Sequence, residues 1–188
     1  EYIKILIQIK NVINSTLKTS REQWNALSLS VEYSNEQHWN CDDCYYVEYR
    51  SSDQIVELLI NDPKCNINYI YSGRCDSILM KAMRWRHTCS LKTIKLLIEK
   101  ININLQDIDK NTALHIACAE KYHDAIILFT DAKNKHVINM RNKNGDTPLH
   151  IACLNDDIIA VKNLLMIDNC NVNIKNNDGD TPVHIVAS

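Results

Sequence analysis

The phrase "NGDTPLHIAC" occupies residues 144–153, and close variants return as "DKNTALHIAC" at 109–118 and "DGDTPVHIVA" at 178–187. Thr147 and Thr181 are 34 residues apart, and Thr112 and Thr147 are 35 apart. A fixed period in the thirties marks a unit that cannot bury its apolar face alone and must stack on its neighbours. Each phrase also carries its own local logic. The threonine hydroxyl caps a helix start, and Pro148 stands at the first helical position, where its missing N–H costs nothing. Leu149 and Ala152 are three residues apart and share one helix face. The small alanine lets the next unit approach closely.

A second helix is expected after each phrase. The segments are "DQIVELLIND" (53–62), "LKTIKLLIEK" (91–100), "HDAIILFTD" (123–131) and "IIAVKNLLMI" (158–167). Each leads into a similar stretch that is expected to form a hairpin strand: "CNIN" (65–68), "ININ" (101–104), "HVIN" (136–139) and "CNVN" (170–173). Three of these end eight residues before the next threonine: Asn104 to Thr112, Asn139 to Thr147 and Asn173 to Thr181. That constant offset is stronger evidence than any single motif. Upstream, "DSILMKAM" (76–83) takes the place of the phrase with Ser77 as its cap, and "NALSLSV" (25–31) reads as one more first helix. A polar insert, 32–52, separates it from its second helix. The alternating isoleucines at 3, 5, 7 and 9 would suit a strand. The repeat register instead makes "YIKILIQIKNVIN" the second helix and hairpin of a preceding unit. The whole chain is thus expected to be one array: 1–20 partial, 21–72 with the insert, 73–108, 109–143, 144–177 and 178–188 partial. The reading expects the array to continue in both directions.

These residues resemble the ankyrin repeat, most specifically at "TALHIAC", "TPLHIAC" and "TPVHIVA". The resemblance implies an all-α solenoid of stacked helix-turn-helix units with short finger hairpins. It also implies that His115, His150 and His184 serve structure, bonding near their helix starts and to the neighbouring finger, rather than catalysis. Only Gly73, Gly145 and Gly179 occur, all in expected finger turns. The glycines usual between the helices are replaced by residues such as Asn155, Asp156 and Asn169, which tolerate left-handed backbone. Asn104 and Asn173 fit the pattern that an asparaginyl hydroxylase recognises in many ankyrin domains. An amide that bridges two hairpins explains them equally.

Composition narrows the function. A net charge of -2 leaves no excess of Lys and Arg to neutralise phosphates, which argues against nucleic acid as a general partner. The most apolar stretch, Tyr2 to Ile13, is too short to span a bilayer and is interrupted by Lys4, Gln8 and Lys10. Of the eight cysteines, Cys118 and Cys153 share one repeat position and Cys65 and Cys170 another, as small packing residues do. That usage suits a reducing compartment, and a cytoplasmic or otherwise intracellular location is expected. His38, Cys41 and Cys44 in "HWNCDDC" have metal-like spacing, but a structural zinc site needs four ligands and no second CxxC follows. A plain exposed loop is the preferred reading there. Asp42 and Asp43 would raise the thiol pKa values and oppose a redox motif. No phosphate loop, dinucleotide fingerprint, HExxH or nucleophile elbow is present, so no enzyme and no cofactor are expected.

Protein binding remains the leading function: a scaffold or adaptor segment, or alternatively a regulatory or targeting array attached to a catalytic, channel or effector domain. The resemblance places the partner on finger tips and the exposed side of first helices. Counting from the capping residue gives Lys81, Ile116 and Ile151, then Arg84, Trp85, Ala119, Glu120, Leu154 and Asn155. The fingers add Arg74, Asp109, Lys110, Asn144, Asp146 and Asp178. The cluster "KAMRWRH" could also bind an acidic peptide or nucleic acid, or simply complement a helix end.

Overall fold

The computed structural model describes residues 57, 60–61, 67–68, 70, 75–84, 90–129 and 135–187. Among them are seven α-helices: α1 (Ile78–Arg84), α2 (Leu91–Lys100), α3 (Ala113–Ala119), α4 (His123–Leu128), α5 (Pro148–Leu154), α6 (Ile158–Leu165) and α7 (Pro182–Ala187). The odd-numbered helices pack on one another in chain order, as do the even-numbered ones, and each of α1, α3 and α5 packs on the helix that follows it. This is an all-α solenoid of inner and outer helices with one continuous core. Leu79, Leu97, Leu114, Ile126, Phe129 and Leu164 are completely buried in it. Burying each such side chain stabilises the fold by about 1.5–3 kcal/mol.

The helices begin as their sequences dictate. Thr112 and Thr147 close capping boxes with His115 and His150. Pro148 opens α5 at its first residue, and Leu149 and Ala152 are buried. In α1 the cap is Ser77, whose Oγ accepts the Met80 N–H at 3.3 Å. Ser90 Oγ accepts the Thr93 N–H and starts α2, and the Asp157 carboxylate accepts the Ala160 N–H and starts α6.

Between the units lie fingers of five residues, each closed by a backbone bond: Asp107 N–H to Asn111 O, Asn142 N–H to Asp146 O and Asn176 N–H to Asp180 O. The fourth residue of this turn is left-handed in every unit, at Cys75, Lys110, Gly145 and Gly179. Glycine therefore occupies two of four positions that need it. Between inner and outer helices, Lys121 and Asp156 are left-handed, and so is Asn169 after α6. Asp156 and Asn169 match the sequence reading. Asn155 does not, because it ends α5 with φ -88.

The expected hairpin strands are a second correction. Among the described residues the only β-contact is an isolated bridge between Ile70 and Ser77. "HVIN" lies in a 3-10 helix, Lys135–Asn139. "ININ" and "CNVN" close through asparagine side chains instead of a ladder: Asn102 Oδ1 accepts the Asn104 N–H, and Asn171 Oδ1 accepts the Asn173 N–H. Such side-chain turns compete with strand pairing. The amide bridges run from Asn68 Oδ1 to the Asn102 N–H and from Asn139 Oδ1 to the Asn171 N–H, each 2.9 Å. Asn104, expected to bridge, has its Oδ1 buried with no hydrogen-bond partner among the described residues. The unit that follows it is the one wound as a 3-10 helix. The expected units upstream, the insert 32–52 and its His38, Cys41 and Cys44 lie outside the described residues.

Candidate partner-binding surface

Two hydrogen-bond ladders fix one unit against the next, and they decide which side chains are left for a partner. In the first, the Thr112 N–H donates to His115 Nδ1 at 3.2 Å, and His115 Nε2 lies 3.0 Å from Asp146 O. A backbone N–H can only donate, so Nδ1 accepts and the ring proton sits on Nε2, which donates to the finger of the following unit. His150 repeats the arrangement: the Thr147 N–H reaches its Nδ1 at 3.1 Å and its Nε2 lies 3.1 Å from Asp180 O. Burial lowers the His115 pKa to about 4 against the pull of the Asp146 carbonyl and the Asp107 and Asp146 charges. The neutral ring is the form this junction requires.

The second ladder joins the first residue of a finger to the residue before the previous cap. The Asn142 amide donates to Asn111 Oδ1 at 3.1 Å, and the Asn176 amide donates to Asp146 Oδ1 at 3.0 Å. At the junction of α1 and α3 the two positions are Asp107 and Asp76, both carboxylates. Arg84 stands between them, with Nη2 2.9 Å from Asp107 Oδ2 and Nε 3.3 Å from Asp76 Oδ2.

This accounting corrects several expected site residues. Arg84 is spent on that bridge. Asp146 is buried, accepting from Asn176 and from His115. Ile116 is buried in the core. Ile151 and Asn155 are half-buried, and the Asn155 carbonyl accepts from Lys121 Nζ at 3.0 Å. Lys81 is half-buried within α1. Asp109, Lys110, Asn144 and Asp178 are exposed on fingers, and Ala119, Glu120 and Leu154 are exposed at inner-helix ends. The backbone carbonyls of Asp109 and Asn144 still accept from the next finger, Lys143 N–H and Asn177 N–H. Arg74 and Trp85 lie outside the described residues. Leu154 keeps 57% of its surface exposed. The sequence reading missed Ile108, 60% exposed in a finger. The available signal was an isoleucine where the other two fingers carry Lys143 and Asn177.

The remaining reactive groups are quiet. Burial pushes the Cys118 thiol well up, reinforced by Asp157 and Cys170, and burial also raises Cys153 and Cys170. Thiols so raised are poor nucleophiles at neutral pH. Burial would raise the Asp157 carboxyl too, but the Ala160 N–H, the His123 ring at 2.8 Å and Lys121 together hold it below the usual range. Among the described residues, no three His, Cys, Asp or Glu side chains are grouped to hold a metal ion. No described helix is long and apolar enough to cross a membrane.

Two family profiles match the chain: "Ankyrin repeats (3 copies)" over residues 44–138 and "Ankyrin repeats (many copies)" over 132–186. The chain belongs to the ankyrin repeat family. Among curated proteins it is 32% identical over 96 residues to the SMC5-SMC6 complex localization factor protein 1 of Bos taurus, and 29% identical over 96 residues to the Homo sapiens protein of that name. It is also 36% identical over 84 residues to a probable serine/threonine-protein kinase of Dictyostelium discoideum. These matches cover 50%, 50% and 42% of this chain, but only 9%, 9% and 10% of the relatives. Ankyrin repeats in general mediate protein–protein interaction.

Proposed function

We propose that this ankyrin array binds a partner protein or peptide through its finger tips and inner-helix ends, with Leu154 and Ile108 as apolar anchors. The supporting observation is Leu154: a large apolar side chain, more than half exposed, where the unit before carries Ala119. It has no place in the ladders that join the units. The flanking exposed charges, Asp109, Lys110, Glu120 and Asp178, are of both signs and suit a polar rim. The expected repeats that begin at 73, 109, 144 and 178 divide this surface, and Trp85, next in sequence after α1, is taken as a further contact. Half-buried free thiols at Cys153 and Cys170 support an intracellular setting. The second reading, an array that targets or regulates a larger protein, is favoured by the relatives, in which the matched part is about a tenth of the length.

Selection of a phage-displayed random peptide library on the immobilised chain, followed by titration of the enriched peptides, tests this reading. Hot-spot truncations cost about 2 kcal/mol or more. Leu154→Ala should therefore weaken binding at least about tenfold with the unfolding midpoint unchanged, and Ile108→Ala and Trp85→Ala should act the same way. Lys95→Ala and Lys162→Ala, on the outer helices, should be silent. Binding abolished by the lysine pair and indifferent to Leu154 places the partner on the other side.

A further inference from the structure

We infer that Asn144 is a site of spontaneous deamidation, and that its isoaspartate product parts the finger 142–146 from the finger 176–180. This does not depend on which partner the array binds. The sequence supplies the first condition. Of the three glycines, Gly145 alone follows an asparagine. The amide carbon of an asparagine side chain is open to attack by the backbone nitrogen of the next residue. Glycine favours that attack because no Cβ shields its nitrogen. The other finger asparagines, Asn111, Asn142, Asn176 and Asn177, are followed by Thr112, Lys143, Asn177 and Asp178, whose side chains stand in the way.

Hydrogen bonding supplies the second condition. The Asn142 amide donates to Asn111 Oδ1, and the Asn176 amide donates to Asp146 Oδ1. Asn177 donates to Lys143 O and accepts from Arg141 Nη2, each at 2.9 Å. Asn144 differs. Its backbone is engaged, with the N–H donating to Asn142 Oδ1 and the carbonyl accepting from the Asn177 N–H. Its side chain is exposed and has no hydrogen-bond partner among the described residues. One restraint remains: the Gly145 N–H donates to Asn142 O at 3.0 Å, and the nitrogen must leave that bond before it attacks. Release is a local opening of the finger, and the bonds from Asn177 set how often it occurs.

The Gly145 nitrogen gives its proton to base and bonds to Asn144 Cγ. The Cγ–Nδ2 bond breaks, ammonia leaves and a cyclic imide joins the two residues. Water then opens the ring. Opening at Cγ gives aspartate on an unaltered backbone. Opening at the backbone carbonyl breaks its bond to the Gly145 nitrogen and gives isoaspartate, with the chain now running through Cβ and Cγ. Water is consumed, ammonia is released, and nothing is oxidised or reduced. In isoaspartate the carbonyl that accepted the Asn177 N–H has become a free carboxylate off the main chain. An extra main-chain carbon also stands beside Gly145. The corner has no space for it, since even a Cβ on Gly145 would lie 2.7 Å from the Asn177 backbone nitrogen.

The test incubates the full chain in mildly alkaline buffer, maps amide loss by peptide mass, counts isoaspartate with an isoaspartyl methyltransferase and follows melting. Asn144 should lose its amide several-fold faster than Asn111, Asn142, Asn176 or Asn177, and the melting temperature should fall as isoaspartate accumulates. Asn144→Gln should abolish both changes. Freshly made Asn144→Asp, which adds the charge without the extra carbon, should melt with the parent. Asn177→Ala, which loosens the neighbouring finger, should speed the loss at Asn144 several-fold. Amide loss at Asn144 no faster than at the other finger asparagines overturns the inference, as does an isoaspartate-bearing chain that melts with the parent. An Asn177→Ala variant with the parent's rate, or a fresh Asn144→Asp that melts as low as the aged chain, also overturns it.

Discussion

The junction between α1 and α3 and the junction between α3 and α5 solve one geometric problem with different chemistry. The second uses a neutral histidine that donates to a carbonyl, plus an amide facing an amide. The first has Met80 in the histidine's place, its sulfur 3.3 Å from the Ser77 N–H, and no ring nitrogen to reach the next finger. It also sets two carboxylates against each other and needs Arg84 to hold them. One junction is neutral, with a buried histidine and a half-buried amide pair. The other is ionic and partly exposed, with 24% of the Arg84 side chain in solvent. Repeat architecture thus constrains which atoms must meet, not which residues supply them.

The largest expected effect lies in what both junctions share. Leu114→Ala and Leu149→Ala should each destabilise by about 2–5 kcal/mol in urea unfolding, as large-to-small core changes do. Val183→Ala, in the same register but exposed, should stay within about 0.5 kcal/mol. Equal losses at all three sites would show that coverage by the next unit is not what buries this position.

Acid should separate the junctions next. The His115 pKa falls from 6.5 unfolded to about 4 folded, so the unfolded chain binds more protons between those values. Its contribution is complete above pH 6.5 and is lost as pH falls toward about 4, with a slope of at most about 1.4 kcal/mol per pH unit. The depressed Asp157 adds stability that is lost only at lower pH, below the usual carboxylate value. His115→Met, which copies the first junction, should flatten the urea midpoint between pH 6.5 and 4. A variant with the parent's full slope would place the titration elsewhere.

Arg84→Ala should cost about 1–2 kcal/mol, less than a fully buried pair because solvent reaches the guanidinium. Salt should lower the parent toward the variant, and Arg84→Ala combined with Asp107→Asn should recover most of the loss. An asparagine there can donate to Asp76 as Asn176 does to Asp146. Failure of that rescue would mean that Arg84 acts through packing.

The repeat period, the caps and the outer helices were legible because they rest on local rules: a threonine before a proline, an apolar pair three residues apart. The all-α stack followed from them. The hairpin strands were misread because period-2 cues in "ININ" and "CNVN" compete with asparagine turns that close on themselves. The site was less legible for a different reason. Ile116, Asp146 and Arg84 look available in one dimension, and only the neighbouring unit reveals that they are consumed. Ile108 was overlooked because every finger position singled out carried a polar residue.

The smallest effect concerns the left-handed corner that all the fingers share. Lys110 holds φ 59 where Gly145 holds 80 and Gly179 holds 89. A side chain in that conformation costs roughly 1–2 kcal/mol, offset in part by the greater chain entropy of glycine when unfolded. The Lys110 side chain is exposed, and its contribution to the turn is a carbonyl that accepts from the Gln106 amide at 2.6 Å. A glycine keeps that carbonyl. Lys110→Gly should therefore stabilise the chain by about 0.5–1 kcal/mol, read as a rise in urea midpoint with an unchanged m-value. The reverse change separates backbone from contact. Gly179→Ala meets nothing within 4 Å and should cost only the backbone term, whereas a Cβ on Gly145 would lie 2.7 Å from the Asn177 backbone nitrogen and should cost clearly more. If Gly145→Ala and Gly179→Ala cost the same, the fingers are not pressed together as the ladder between Asn144 and Asn177 requires.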